Sequence, residues 1–297
     1  MISFIMLAKN ESKRIRQGID SLISSKYEKF ELIVIDDNSD DNTFDLVKNY
    51  SVKDKRIRIF KNKFIGKVKG TNYGYKLSSG KLIKFIDADD ILLPEFFFEI
   101  KNISSGFSHC HAATIVTNEL KSITKYIINP SIVYRDPIEI TSKLISLPKW
   151  CWTFSREVAD KIFPIPEGMP IEDLWMSLRA KEFSKKILIS KKSLYLYRQH
   201  EGQDYGGILN YNYELVKLRS ERSLKAIKVL NNMIAYKNVN FSYLEKYLNI
   251  LINRSNISMI LSSGLLIKDI FKAILILYFP RLASYSTVLK WKIDSYL

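Results

Sequence analysis

The chain has 297 residues, 46% of them hydrophobic, which is enough for a sizeable core and unlike the composition of a disordered chain. Lys+Arg number 46 against 31 Asp+Glu, and the resulting charge of +15 favours anionic partners: nucleic acid, phosphorylated metabolites or the anionic face of a membrane. Two cysteines, Cys110 and Cys151, form neither a CxxC nor a zinc-like pattern, which argues against a disulfide scaffold and for a reduced, cytoplasmic protein.

Ile2 to Leu7 reads as a buried strand, and the opening MISFIMLAKNES is too short in its apolar part for a secretory signal. Glu11 to Ser25 reads as a helix with Ile15, Ile19, Leu22 and Ile23 on one face. A second strand, Phe30 to Ile35, ends in Asp36-Asp37-Asn38-Ser39. A helix from about Asn42, a strand at Arg56 to Phe60 and a helix over Gly66 to Ser79 follow. The fourth strand, Leu82 to Ile86, runs into Asp87-Ala88-Asp89-Asp90. This alternation predicts parallel strands joined by right-handed crossovers. Ligands collect at the carboxyl ends of such strands, and both acidic groups lie there.

Two carboxylates one residue apart, Asp87 and Asp89, can aim at one point after a strand. That suits Mg2+ or Mn2+, which bind through one or two carboxylates plus substrate phosphates. The competing reading is a solvated loop that caps a helix starting near Pro94. Beyond it, Glu99 to His200 is less regular, with short strands expected at Ala112 to Thr117 and Lys186 to Tyr197 and a helix beginning near Glu172. From about Leu209 the chain turns helical and basic.

Five blocks together resemble the family 2 glycosyltransferases, whose nucleotide-sugar-binding fold is called GT-A. They are Phe30 to Ser39, Asn72-Tyr73-Gly74, Gly80 to Asp90, Ile171-Glu172-Asp173-Leu174-Trp175 and Tyr197-Arg198-Gln199-His200, in the family's order across the first 205 residues. The resemblance implies an α/β, Rossmann-like mixed sheet flanked by helices over residues 1–205, followed by a helical extension over 206–297. It implies that Asp37 accepts a hydrogen bond from the nucleotide base, with Ala8 and Asn10 beside it. Asp87 and Ala88 then lie near the ribose, and Asp89 and His200 at a divalent metal, Mn2+ or Mg2+, that bridges the diphosphate. Asp173 matches the general base, with Glu172 its competitor for that role. Trp150 and Trp152 fall where the family places its acceptor loop, and their rings suit either stacking on a sugar or packing in a core.

Each role also has a physical case. A nucleoside diphosphate leaves only once its developing charge is neutralised. A sugar hydroxyl is a weak nucleophile until a carboxylate takes its proton. A base opposite the leaving diphosphate inverts the anomeric centre, and no second carboxylate nucleophile is needed. Departures from the family are local. Leu7-Ala8-Lys9-Asn10-Glu11 replaces a Pro-Thr-Tyr-Asn-like turn, and Thr71 stands where an arginine often precedes the asparagine. Lys67 and Lys69, one turn earlier, are candidates for the diphosphate contact.

The tail repeats apolar residues at helical spacing, as in Leu224, Ile227 and Leu230 or Ile250, Leu251 and Ile257. Phe271 to Leu297 mixes apolar and aromatic residues with Lys272, Arg281, Lys290 and Lys292. Such a segment suits a membrane interface, or a helical subdomain packed on its own core or a second subunit. The expectation is therefore an inverting, metal-dependent glycosyltransferase for bacterial surface polysaccharide. It would take a nucleoside-diphosphate sugar, with uridine the base that the resemblance implies, and a saccharide or polyprenyl-diphosphate-linked saccharide, at the inner face of the plasma membrane. A nucleotidyltransferase should show a Gly-rich phosphate loop, and none occurs. A nucleic-acid-binding protein should show a helix-turn-helix, zinc or RNP pattern, also lacking, so no nucleic-acid partner is expected.

Overall fold

The computed structural model describes residues 1–64, 66–124, 137–200, 203, 211–233 and 236–294, with side chains of the last helix described to residue 287. Leu209, the side chains of Lys290 and Lys292, and the expected boundary at 205–206 lie outside the described residues.

The first third alternates as its sequence periods require: β1 (Ile2–Ala8), α1 (Ile15–Ile23), β2 (Phe30–Asp36), α2 (Thr43–Lys53), β3 (Ile57–Lys61), α3 (Lys67–Leu77) and β4 (Leu82–Asp87). All seven residues of β2 are buried, as befits a strand covered on both faces. Next come β5 (Ile91–Leu92), α4 (Phe96–Glu99), β6 (Phe107–Val116), β7 (Ser122–Thr124) and α5 (Pro137–Ser142). A 3-10 turn at Lys149–Cys151 leads into β8 (Trp152–Ser155), α6 (Arg156–Ile162), α7 (Glu172–Phe183) and β9 (Lys186–Arg198). The tail holds α8 (Tyr213–Asn231), α9 (Ser242–Ile252), α10 (Ile257–Leu261), α11 (Ile267–Tyr278) and α12 (Pro280–Asp294).

The strands form one mixed sheet ordered β3-β2-β1-β4-β8-β6-β9-β5, with β7 on the side of β6. β1 to β4 are mutually parallel. β8 is antiparallel to both β4 and β6, so it welds the parallel half to the β6–β9 half. The register sets Ala8 beside Asp36 and Leu7 beside Asp87, so the acidic ends of β2 and β4 flank the end of β1.

The helical tail is not a separate body. Ala226, Ile227 and Leu230 of α8 and Leu248 of α9 join the main core, while Val216, Ile250, Leu251, Ile260, Ala273 and Ile276 build a second, smaller one. One face of α8 thus anchors the tail on the sheet domain.

Candidate active site

The carboxyl edge of the parallel strands is organised by loops that grip one another. Asp37 donates its N–H to the carbonyl of Ala8 at 2.8 Å, and its carboxylate accepts from the Asn62 amide at 2.7 Å. Asn10 sits in the left-handed region, φ 56°, a conformation asparagine tolerates well. Its N–H donates to Ser39 Oγ and its side-chain carbonyl accepts the N–H of Asp40. Glu11 and Ser12 donate their N–H groups to Thr43 Oγ1 and Asp41. The β1–α1 and β2–α2 loops are thereby stitched into one wall, and α1 starts at Ile15 instead of Glu11.

After β4 three aspartates take different positions. Asp87, 28% exposed, donates its N–H to Tyr195 Oη, and its Oδ1 lies 3.4 Å from the Lys149 ammonium. Ala88 is buried between them. Asp89 Oδ2 lies 3.0 Å from His200 Nε2 and 3.3 Å from the Gln203 amide. Burial raises the Asp89 carboxyl, but the hydrogen bond and charge of His200, a backbone N–H and the Gln203 amide together outweigh it, and the balance is below the usual range. Asp90 is buried and accepts the N–H of Arg198 at 2.8 Å. Burial, with the charges of Asp89 and Asp87, pushes its carboxyl well up. Its bond to the Arg198 N–H fixes the end of β9, two residues before His200.

Glu11, Asp89 and His200 place one ligand atom each within 4.8 Å of one another. Glu11 was absent from the expected ligand set; its only sequence signal is its place directly after Asn10. Burial first, and then the charge of Asp89, raises its carboxyl, while Arg14 holds one oxygen at 2.8 Å. Two crowded carboxylates and an imidazole are a donor set that fits Mn2+. The residues present therefore fit the expected cation.

The Glu-Asp pair opens α7. Glu172 is buried with both oxygens engaged: Oε1 accepts from Thr71 at 2.7 Å and Oε2 lies 3.3 Å from Lys149 Nζ. Burial raises its carboxyl, but the charges of Lys149 and Lys67 and the hydrogen bonds from Thr71 and Lys149 together outweigh that and hold it low. Thr71 is thus the partner of Glu172. Asp173 differs. Its Oδ1 accepts the N–H of Lys149 at 2.9 Å, and Oδ2 has no partner among the described residues. Burial raises its carboxyl, Glu172 and Asp87 add to that, and Lys149 opposes it. Of the two carboxylates, Glu172 has both oxygens engaged, while Asp173 keeps one without a partner among the described residues.

One expectation needs correction. Trp150 and Trp152 are 2% and 0% exposed. Trp150 stacks on Tyr195 with centroids 4.7 Å apart, and Trp152 stacks on Phe154 while its Nε1 donates to Ser177. They are core residues, because the loop expected around Cys151 is the start of an internal strand. Lys67 is exposed at the first turn of α3 and acts on Glu172 and Lys149 through its charge. Lys69 pairs with Glu167 at 2.6 Å, an exposed contact that is weak in water. Asn72 clamps the chain leading to α7, giving and receiving hydrogen bonds with Ile165.

Known proteins resemble this chain. WfaP of Escherichia coli, a UDP-Glc:α-D-GlcNAc-diphosphoundecaprenol β-1,3-glucosyltransferase, is 34% identical over 91 residues, 30% of this chain and 36% of that one. The first relatives found are matched over 13–37% of their own length. TarS of Staphylococcus aureus (residues 1–349, with UDP-GlcNAc) superposes with a TM-score of 0.57 at 18% identity, covering 99% of this chain and 91% of that one. The mannosyltransferase PcManGT of Pyrobaculum calidifontis, with GDP-Man and Mn2+, gives 0.57 at 13% identity, covering 99% and 86%. Those likenesses identify the fold as GT-A. The profile of Glycosyl transferase family 2 matches residues 3–163, more than half of the sequence, and the chain belongs to that family.

Proposed function

We propose that the protein is an inverting glycosyltransferase that moves a sugar from a UDP-sugar to a hydroxyl of a saccharide or lipid-linked saccharide, with a divalent metal at Asp89. What carries this reading is the division of labour among carboxylates at one sheet edge. Asp37 faces the β1–β2 wall, Asp89 meets His200 and Glu11, and Asp173 keeps one oxygen without a partner among the described residues.

In this reading Asp37 and the Asn10 turn hold the base, and Asp87 with the buried Ala88 orients the ribose. Asp89, His200 and Glu11 would hold the metal, which supplies positive charge to the departing diphosphate. Lys67 and Lys69 add cationic charge on the same side. Asp173 takes the acceptor proton through Oδ2, while the N–H of Lys149 keeps Oδ1 fixed. The uridine base and the undecaprenyl-type acceptor are supported by the ligand of TarS and the name of WfaP, and the metal by PcManGT. With a lipid-linked acceptor, the protein works at the cytoplasmic leaflet of the membrane. No helix among the described residues is long and apolar enough to cross it.

A thermal-shift series with UDP, UDP-sugars and GDP-mannose, each with and without Mn2+, tests this. A ligand at 100 times its Kd stabilises by about 2.7 kcal/mol. The expected result is a rise in Tm with a uridine nucleotide plus Mn2+, lost in Asp89→Ala. No response to any nucleotide in either condition would overturn the proposal.

A further inference from the structure

Lys149 belongs to no motif and occupies a place where a charge is costly. Its side chain is 5% exposed, and its ammonium lies 3.4 Å from Asp87 Oδ1 and 3.3 Å from Glu172 Oε2. Its backbone N–H donates to Asp173 Oδ1 at 2.9 Å. One residue thereby touches the carboxylate that follows β4 and both members of the pair that opens α7. Burial lowers its proton affinity, but the charges of Glu172, Asp87 and Asp173 together more than compensate. Its 3-10 turn is held from beneath as well. Lys84, fully buried in β4, donates to the carbonyl of Trp150 and lies 2.7 Å from His111 Nε2.

The geometry points to Lys149 as a positioning residue for sugar transfer, whose ammonium ties the donor-side Asp87 to Glu172 and whose N–H turns Asp173 so that one oxygen is anchored and the other serves the acceptor. The assignment rests on the glycosyltransferase reading and deepens it. It assigns Glu172 a role too: an anion held beside the base by a fixed counter-charge. The charged and titratable groups facing Asp173 are Lys149 from the turn, Cys151 behind it, Glu172 on the same helix and Asp87 from β4. Lys67 of α3 faces Glu172 and Lys149. The Lys149 charge lowers the proton affinity of Asp173, whereas Glu172 and Asp87 raise it.

Two substitutions should therefore act in opposite directions. In Lys149→Met the acid limb of the kcat–pH profile, which reports deprotonation of the base, should move up by about one pH unit, the lower end for a neighbouring opposite charge. In Glu172→Gln, which keeps the shape and removes an anion, the limb should move down. A packing defect lowers kcat but cannot move the limb both ways. The same order of midpoints, Glu172→Gln below wild type below Lys149→Met, is expected for Asp173 by 13C carboxylate NMR titration of the unliganded protein. That titration needs no turnover. A wild type that transfers no sugar would count against the glycosyltransferase reading, while the titration would still decide the role of Lys149. Midpoints unmoved in both variants overturn the assignment. If Lys149→Met does not fold, a Glu172→Gln midpoint at or above that of wild type overturns it alone.

Discussion

A solvated carboxylate has too low a proton affinity to serve well as a base near neutral pH, and burial is the simplest remedy. Asp173 shows that remedy: burial lifts its carboxyl, and its neighbours Glu172 and Asp87 add to the lift. Asp173→Asn keeps an oxygen for the Lys149 N–H and removes the proton acceptor. It should lower kcat by about 10² to 10⁴ and leave nucleotide-sugar affinity by calorimetry unchanged. Near-wild-type kcat would take the base role from Asp173. At this scale the sequence made places legible more readily than neighbours. Asp37, Asp87, Asp89 and Asp173 stand at strand ends or a helix start, which a periodic pattern locates. Lys149 and Lys84 could not be read, because a lone lysine in a sequence is indistinguishable from a solvated one. Trp150 and Trp152 show the converse: ring faces able to stack on sugar are equally able to stack on Tyr195 and Phe154.

Among the elements, the βα alternation of the first third was legible because parallel strands are continuous apolar runs and their helices carry one apolar face. β6 was shortened in the sequence reading, to Ala112 onward, because its first half carries Ser108, His109 and His111, polar residues that are nonetheless buried. β8 was missed. Four buried residues between a 3-10 turn and a helix leave no period to detect. α1 lost its first turn to the site, since Glu11 and Ser12 spend their N–H groups on the neighbouring loop. Gly74 shows how closely α3 lies on the sheet. A Cβ there would stand 2.6 Å from Ile5 Cγ2 and 3.2 Å from Ile35 Cγ1. Alanine is the better helix former by about 1 kcal/mol, yet overpacking costs about 1–3 kcal/mol. Because those side chains belong to central strands, the overpacking should win. Gly74→Ala should lower the urea midpoint, and an unchanged or higher midpoint would mean that α3 is free to lift.

For the molecule as a whole, the tail poses a question of unbalanced surface. Its second core satisfies one side of α11, while Leu266, Ile267, Phe271, Phe279, Leu282 and Tyr285 remain 50–80% exposed. Lys268, Lys272 and Arg281 stand exposed among them. Phe271, Lys268 and Lys272 also line a groove of about 410 Å³ between α11 and α12. Apolar groups that gain about 25 cal/mol per Å² on leaving water, beside cations worth about 1 kcal/mol each near an anionic leaflet, suit a lipid surface. Either force alone would leave attachment weak; together they would make it both salt-sensitive and dependent on apolar insertion. The full chain should cosediment with vesicles containing anionic lipid at low salt and release progressively as the Debye length shortens. Ile267→Glu/Phe271→Glu puts two anions on that face while leaving the second core residues untouched, so it should abolish cosedimentation without shifting the melting transition. Wild-type binding by that double variant would place the contact elsewhere. No binding by the parent chain to anionic vesicles at low salt would leave the exposed face to another partner and remove the membrane from the proposed function, with the carboxylates of the sheet edge unaffected.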